Sequence, residues 1–171
     1  MRPLSRRAQW ALQIVLLLLV VAGVHAWQTR DLLAADRRTP APALDLHDLD
    51  GVRWTTAQLA GRPAVVYFFA PWCGVCAASA PQLRAFHRWR DDDVQLLLVG
   101  LDAKDVDELR RYASRHGLDQ VPVLIGEPVT GTEWRVPGYP TYYVLDSEGR
   151  VAARDFGFTT APGLWWRTLF L

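Results

Sequence analysis

The longest apolar run of the chain, Trp10 to Trp27, is broken only by Gln13 and His25, both near its ends. As a helix its 18 residues would reach about 27 Å, enough to cross the hydrocarbon of a bilayer. Arg2, Arg6 and Arg7 precede it and tryptophans close both ends, which predicts residues 10–27 as a transmembrane signal-anchor with residues 1–9 in the cytoplasm and the rest exported. A cleaved secretory signal is the alternative, because Val24-His25-Ala26 presents small or apolar residues where a signal peptidase reads. Ser5-Arg6-Arg7 invites a twin-arginine reading, but Ala8-Gln9-Trp10 fits that pattern poorly. Residues 28–42 are polar, charged and then Ala/Pro-rich without periodicity, and are expected to tether this segment to one domain over 43–171.

Within that domain the pattern alternates between strand-like and helix-like periods. Leu44-Asp45-Leu46 and Val52-Arg53-Trp54 flank a turn containing Asp50-Gly51 and predict a short hairpin, followed by one helical turn over Thr56 to Leu59. Ala64 to Phe69 and Val94 to Leu101 are continuous apolar runs of buried-strand type, separated by a helical stretch from Cys73 to Arg90 that contains Pro81 and is expected to bend there. Asp105 to His116 predicts a second helix with acids first, bases last, Gly117 as its stop and Val106, Leu109 and Ala113 as its inner stripe. Thr141 to Leu145 and Val151 to Arg154 predict a second hairpin through Asp146-Ser147-Glu148-Gly149. A closing helix starts at Thr160 and carries Trp165, Trp166 and Phe170, aromatics that predict packing on the sheet or contact with a bilayer. This alternation implies an α/β domain with a parallel central strand pair.

Composition narrows the class. Half of the 171 residues are hydrophobic, and those beyond the first segment suffice for one core. From Asp31 onward there are 15 basic residues against 18 acidic ones, a net charge of about −3 that gives no reason to invoke nucleic acid. Lys104 is the only lysine. His47, His87 and His116 sit near a turn or late in helices with nothing that groups them.

The chemistry-bearing feature is Trp72-Cys73-Gly74-Val75-Cys76, which places the only two cysteines three positions apart directly after a buried strand. Thiols at that spacing can close one small disulfide. If a helix starts at Cys73, the unpaired N–H groups and macrodipole there favour its thiolate, making it a nucleophile with Cys76 as the resolving thiol. A structural zinc site would need four ligands, and the chain offers no second cysteine pair and only four scattered histidines. A purely structural disulfide would remove little unfolded-chain entropy from so small a loop.

These segments, with Ala70-Pro71-Trp72-Cys73-Gly74-Val75-Cys76 before the first helix and Gly138-Tyr139-Pro140-Thr141 before a late strand, resemble a thioredoxin fold. More narrowly the chain resembles the exported, membrane-anchored TlpA/ResA/DsbE-like thiol-disulfide oxidoreductases, over about Leu44 to the C-terminus. The resemblance implies a three-layer α/β/α domain with a mixed central sheet, led by an N-terminal β-hairpin. It implies Cys73 as exposed nucleophile, Cys76 as buried partner, Trp72 beside the redox-active disulfide, Gly74 and Val75 as the spacer, and Pro140 as a cis-proline turning the Tyr139 backbone toward the cysteines. It implies client proteins carrying disulfides or dithiols, a membrane thiol-electron transporter as donor, no cofactor, and a place on the periplasmic side of a bacterial inner membrane; with no metal-ligand set and no dimerisation element visible in the sequence, no metal and a monomer are expected.

Four positions depart from the resemblance. Tyr67 stands where cytosolic thioredoxins carry a buried aspartate, and a phenol is a poor base at neutral pH. Ser79 and Thr141 stand where relatives often have glutamate, and Tyr139 is bulky. These departures argue against an apocytochrome client and resemble the exported thioredoxin-like partners (ScsD-type) of copper-stress thiol systems. Rival readings are a soft two-thiolate Cu(I) site at Cys73 and Cys76, a disulfide-donating oxidase, and a redox-inert interaction module.

Overall fold

The computed structural model describes residues 6–90, 93–169 and 171, so the expectations resting on Arg2, Ser5 and Phe170 lie outside the described residues. The chain divides into two units, residues 1–31 and 32–171. Among the described residues the first contains one helix, α1 (Arg6–Thr29), long and apolar enough to cross a membrane, with Arg30 stacked over the Trp27 ring at 5.2 Å.

The second unit is built around β3 (Ala64–Phe69), because all six of its residues are 0–1% exposed. A strand apolar on both faces needs cover on both. Before it come β1 (Asp45–His47) and β2 (Arg53–Thr55), an antiparallel pair, and α2 (Thr56–Leu59). After it come α3 (Gly74–Arg90), β4 (Gln95–Gly100), α4 (Val106–His116), β5 (Val123–Ile125), α5 (Pro128–Glu133), β6 (Thr141–Leu145), β7 (Val151–Phe156) and α6 (Ala161–Thr168). The central sheet runs β5-β4-β3-β6-β7, with β4 parallel to both β3 and β5 and with β6 antiparallel to β3 and β7.

Alternation along β3 sorts two cores. Val65, Tyr67 and Phe69 face a layer containing Cys76, Leu83 and Phe86 of α3, Leu109 and Tyr112 of α4, and Leu164 of α6. Val66 and Phe68 face Leu46, Leu59, Trp134, Tyr143 and Val151 on the other side. There the Tyr143 hydroxyl donates to the Trp134 carbonyl at 2.7 Å and accepts from the Leu33 amide at 3.4 Å. The chain is thus a thioredoxin-like three-layer fold with a mixed sheet.

Several elements differ from expectation in instructive ways. Within the expected tether α1 continues to Thr29, and Leu32 and Leu33 are buried in the second core, their carbonyls accepting from the Arg154 guanidinium. The hydrogen bonds Arg37 N–H to Val151 O, Val151 N–H to Thr39 O and Ala41 N–H to Gly149 O then stitch this segment to the start of β7. Val106, placed in the α4 inner stripe by periodicity, is 37% exposed, and Tyr112 at 2% takes the buried place. The reason is position: Val106 is the first residue of α4, beyond the sheet, where Asp105 caps the helix by accepting from the Glu108 amide at 2.7 Å. The short β5 and α5 had no sequence prediction. Three residues hold too little period for β5, while α5 carries Thr and Gly, poor helix formers, and is secured by Pro128 in its first turn and buried Thr130.

The approach of α4 to the sheet requires Gly100, where an added Cβ would lie 2.3 Å from Leu109 Cδ2. Gly100→Ala is expected to cost about 1–3 kcal/mol through overpacking, measured as a lower urea midpoint at unchanged m.

Candidate active site

β3 delivers the chain to its C-terminal edge at Ala70, where Pro71 and Trp72 turn it into α3. The Cys73 amide donates to the Ala70 carbonyl at 3.0 Å, and the Cys73 carbonyl accepts from Ala77 at 3.1 Å, so Cys73 sits at the mouth of the helix. Cys73 and Cys76 form a disulfide, with Cα atoms 5.2 Å apart. The Cys76 amide donates to Cys73 Sγ at 3.1 Å, one of the helix N-terminal donors that would otherwise lack an acceptor. Cys73, expected to be exposed, is itself buried at 7% in the disulfide state, against 0% for Cys76, so what access there is to the disulfide is from the Cys73 side.

The strand register brings the second motif to the same edge. Phe68 pairs with Thr141, which carries Tyr139 and Pro140 to the end of β3 from which Cys73 departs. The Tyr139–Pro140 bond is cis, Pro140 is buried, and its carbonyl accepts from the Gly157 amide at 2.8 Å. Thr141 does not face a client, since it is fully buried and its hydroxyl donates to the Gly138 carbonyl at 2.8 Å. Tyr139 packs against the core cluster that contains both cysteines. Its ring meets Trp72 edge-on, with centroids 5.8 Å apart, and its hydroxyl donates to Asp102 Oδ2 at 3.0 Å. Trp72 and Val75 are exposed, and a Cβ at Gly74 would meet nothing, so glycine in the spacer leaves open space.

Behind the cysteines lie hydroxyls. Burial pushes the Tyr67 phenol far above its ordinary value, with Ser79 as a weak counterweight, so it stays protonated at neutral pH. Ser79 donates to the Val75 carbonyl at 3.0 Å. Tyr67 stacks on Tyr142, whose phenol is pushed up to about 12 mainly by burial and donates to Asp155 Oδ2 at 3.1 Å. Asp155 is in turn paired with Arg167. Among the described residues no three His, Cys, Asp or Glu side chains come together as a metal site.

Two residues at this edge escaped the sequence reading. Asp102, just past β4, adopts φ +52°, a region that aspartate tolerates better than most residues, but a single acid in a loop carries no sequence signal for what it holds. Phe158 is exposed next to Gly157, and the Phe-Gly-Phe step after a strand was its one visible cue. Trp72 and Val75, on either side of Cys73, make the surroundings of the disulfide apolar.

The Redoxin family matches residues 36–162. The thioredoxin-like protein YneN of Bacillus subtilis is 25% identical over 157 residues, 89% of this chain and 92% of that protein. The thiol-disulfide oxidoreductase ResA of Bacillus anthracis is 24% identical over 158 residues, 88% of this chain and 90% of that protein. A DsbF homologue from Corynebacterium diphtheriae, at 20% identity, shares the fold with a TM-score of 0.73 over 82% of this chain and 91% of its own.

The unequal burial of the two sulfurs makes an expectation for the reduced protein. Iodoacetamide should carbamidomethylate Cys73 at least ~100-fold faster than Cys76, a ratio read by peptide mass mapping; comparable rates would mean that the partner thiol is not shielded.

Proposed function

The chain belongs to the Redoxin family and is a thiol-disulfide oxidoreductase, and from that premise we propose that it works as an exported reductase of protein disulfides. The observation that carries the direction is that the described side chains around the disulfide bring no cation to it. Trp72, Val75, Tyr139 and Pro140 are uncharged, and the charge linked to them through Tyr139 is an anion, Asp102. A Cys73 thiolate would have the helix N-terminus and the Cys76 amide to stabilise it. A modestly stabilised reduced form makes a reducing couple, whereas a strongly stabilised thiolate makes an oxidant.

In this reading the Cys73 thiolate attacks one sulfur of a client disulfide, and the other client sulfur leaves as a thiolate that takes up a proton. Cys76 loses its proton and attacks Cys73 Sγ, the client's second sulfur leaves as a thiol, and the Cys73–Cys76 disulfide forms. The client gains two electrons and the protein loses two. A membrane thiol transporter that delivers electrons as a dithiol restores the reduced state. Trp72 and Val75 offer apolar contact, and the Tyr139 backbone before Pro140 offers an edge on which an extended client chain can pair.

Residues 10–27 anchor the protein in a bacterial inner membrane in this reading, followed by a periplasmic catalytic domain that acts as a monomer and to whose core Leu32 and Leu33 of the expected tether contribute. The helix length and apolarity support the anchor, and a secreted form after cleavage is the outcome that N-terminal sequencing of the mature protein would reveal.

Titration of the full chain in detergent against defined thiol buffers is expected to give a potential near thioredoxin's roughly −270 mV; a value near roughly −120 mV would make the protein a disulfide donor instead. In cells, Cys76→Ser is expected to accumulate mixed disulfides through Cys73, and Cys73→Ser none, read on non-reducing gels. Failure of Cys76→Ser to trap any protein would count against exchange with proteins.

A further inference from the structure

Asp102 stands out because three independent features converge on it. It is one of three non-glycine residues among those described with a left-handed backbone, at φ +52°. It follows Leu101, whose amide is fixed on the Phe69 carbonyl at 2.8 Å, so the backbone that carries it is anchored to the end of β3, immediately before the redox motif. Its carboxylate is exposed except for the Tyr139 hydroxyl, which donates to it at 3.0 Å. A solvated acid with a left-handed backbone whose side chain, among the described residues, is held by one hydrogen bond is a poor candidate for a stability role and a good one for placing the group it holds.

What it holds is the ring that meets Trp72 edge-on at 5.8 Å. Trp72 is 66% exposed and sits one residue before Cys73. Beyond Asp102 lies a cavity of about 420 Å³ lined by Gly100, Ala103, Val106, Ile125 and Pro128 among others, into whose wall Asp102 itself is built.

Resting on the thiol-exchange function above, we propose that Asp102 is a positioning residue for client selection: it locks Tyr139 against Trp72, so that the two rings form a preformed wall beside the disulfide on which a polypeptide client is oriented. A preformed surface binds a chain without first ordering its own side chains, and a disulfide too small to reach the wall draws little from it. The lock therefore acts on discrimination between protein and small-molecule disulfides rather than on sulfur chemistry.

The test uses pre-reduced full-length protein in detergent, mixed with insulin or with bis(2-hydroxyethyl) disulfide, and follows closure of Cys73–Cys76 by acid quench and alkylation. Asp102→Ala and Tyr139→Phe are each expected to lower the insulin-to-small-disulfide rate ratio about five- to ten-fold, the size of one lost solvent-exposed hydrogen bond to a charged acceptor, and to do so through the half-saturating insulin concentration. Asp102→Asn keeps an acceptor oxygen and is expected to retain more than half of the wild-type ratio. The double variant is expected to lose no more than either single one, because both break the same bond. Equal losses on both substrates, a shifted reduction potential in Asp102→Ala, an Asp102→Asn as impaired as Asp102→Ala, or additive losses would each overturn the proposal. Wild-type protein inert toward both disulfides would instead overturn the oxidoreductase reading on which it rests.

Discussion

Burial of β3 on both faces is the constraint from which the site follows. A strand that sheds water on each side has no freedom of register, because a slip by one residue would exchange Val65, Tyr67 and Phe69 with Val66 and Phe68 between two differently shaped cores. Its end is therefore fixed, and Cys73, four residues after β3 ends and hydrogen-bonded back to Ala70, inherits that precision. The same register fixes Pro140 through Phe68 and Thr141. Two motifs almost seventy residues apart meet because one strand cannot move.

The interior chemistry of the site is set by what has replaced charge. Tyr67 and Ser79 occupy positions behind the cysteines and bring hydroxyls that stay neutral, with Tyr142 leading on to the Asp155–Arg167 pair at the surface. A carboxylate in the interior would carry its own desolvation penalty and would titrate with the buried thiol. Hydroxyls avoid that penalty and leave the thiols to respond to the helix N-terminus.

Much of this was legible in the sequence because it rested on local periodicity and on residues with singular chemistry. The uninterrupted apolar run of β3, the acid-to-base polarity of α4 with its Gly117 stop, and the turn residues of both hairpins each carry their signal within a few positions. The cysteine motif and Pro140 were visible for the same reason. The segment 32–41 was not, since Leu32 and Leu33 read as two apolar residues among polar ones and their partners, Tyr143 and Arg154, lie more than a hundred positions away. Asp102 and the exposure of Val106 were hidden likewise: each depends on where an element ends in space, which periodicity does not encode.

The stitching of residues 37–41 to the start of β7 has a consequence beyond stability. β7 is an edge of the central sheet, and an open edge offers unpaired N–H and C=O groups to any extended chain that comes near. A protein whose substrates are disulfide-bearing proteins meets polypeptide chains that can lie extended against it. By laying its own backbone along Gly149 and Val151, the molecule fills part of that edge with itself, and a visiting strand is denied a place to lodge away from the sulfur atoms.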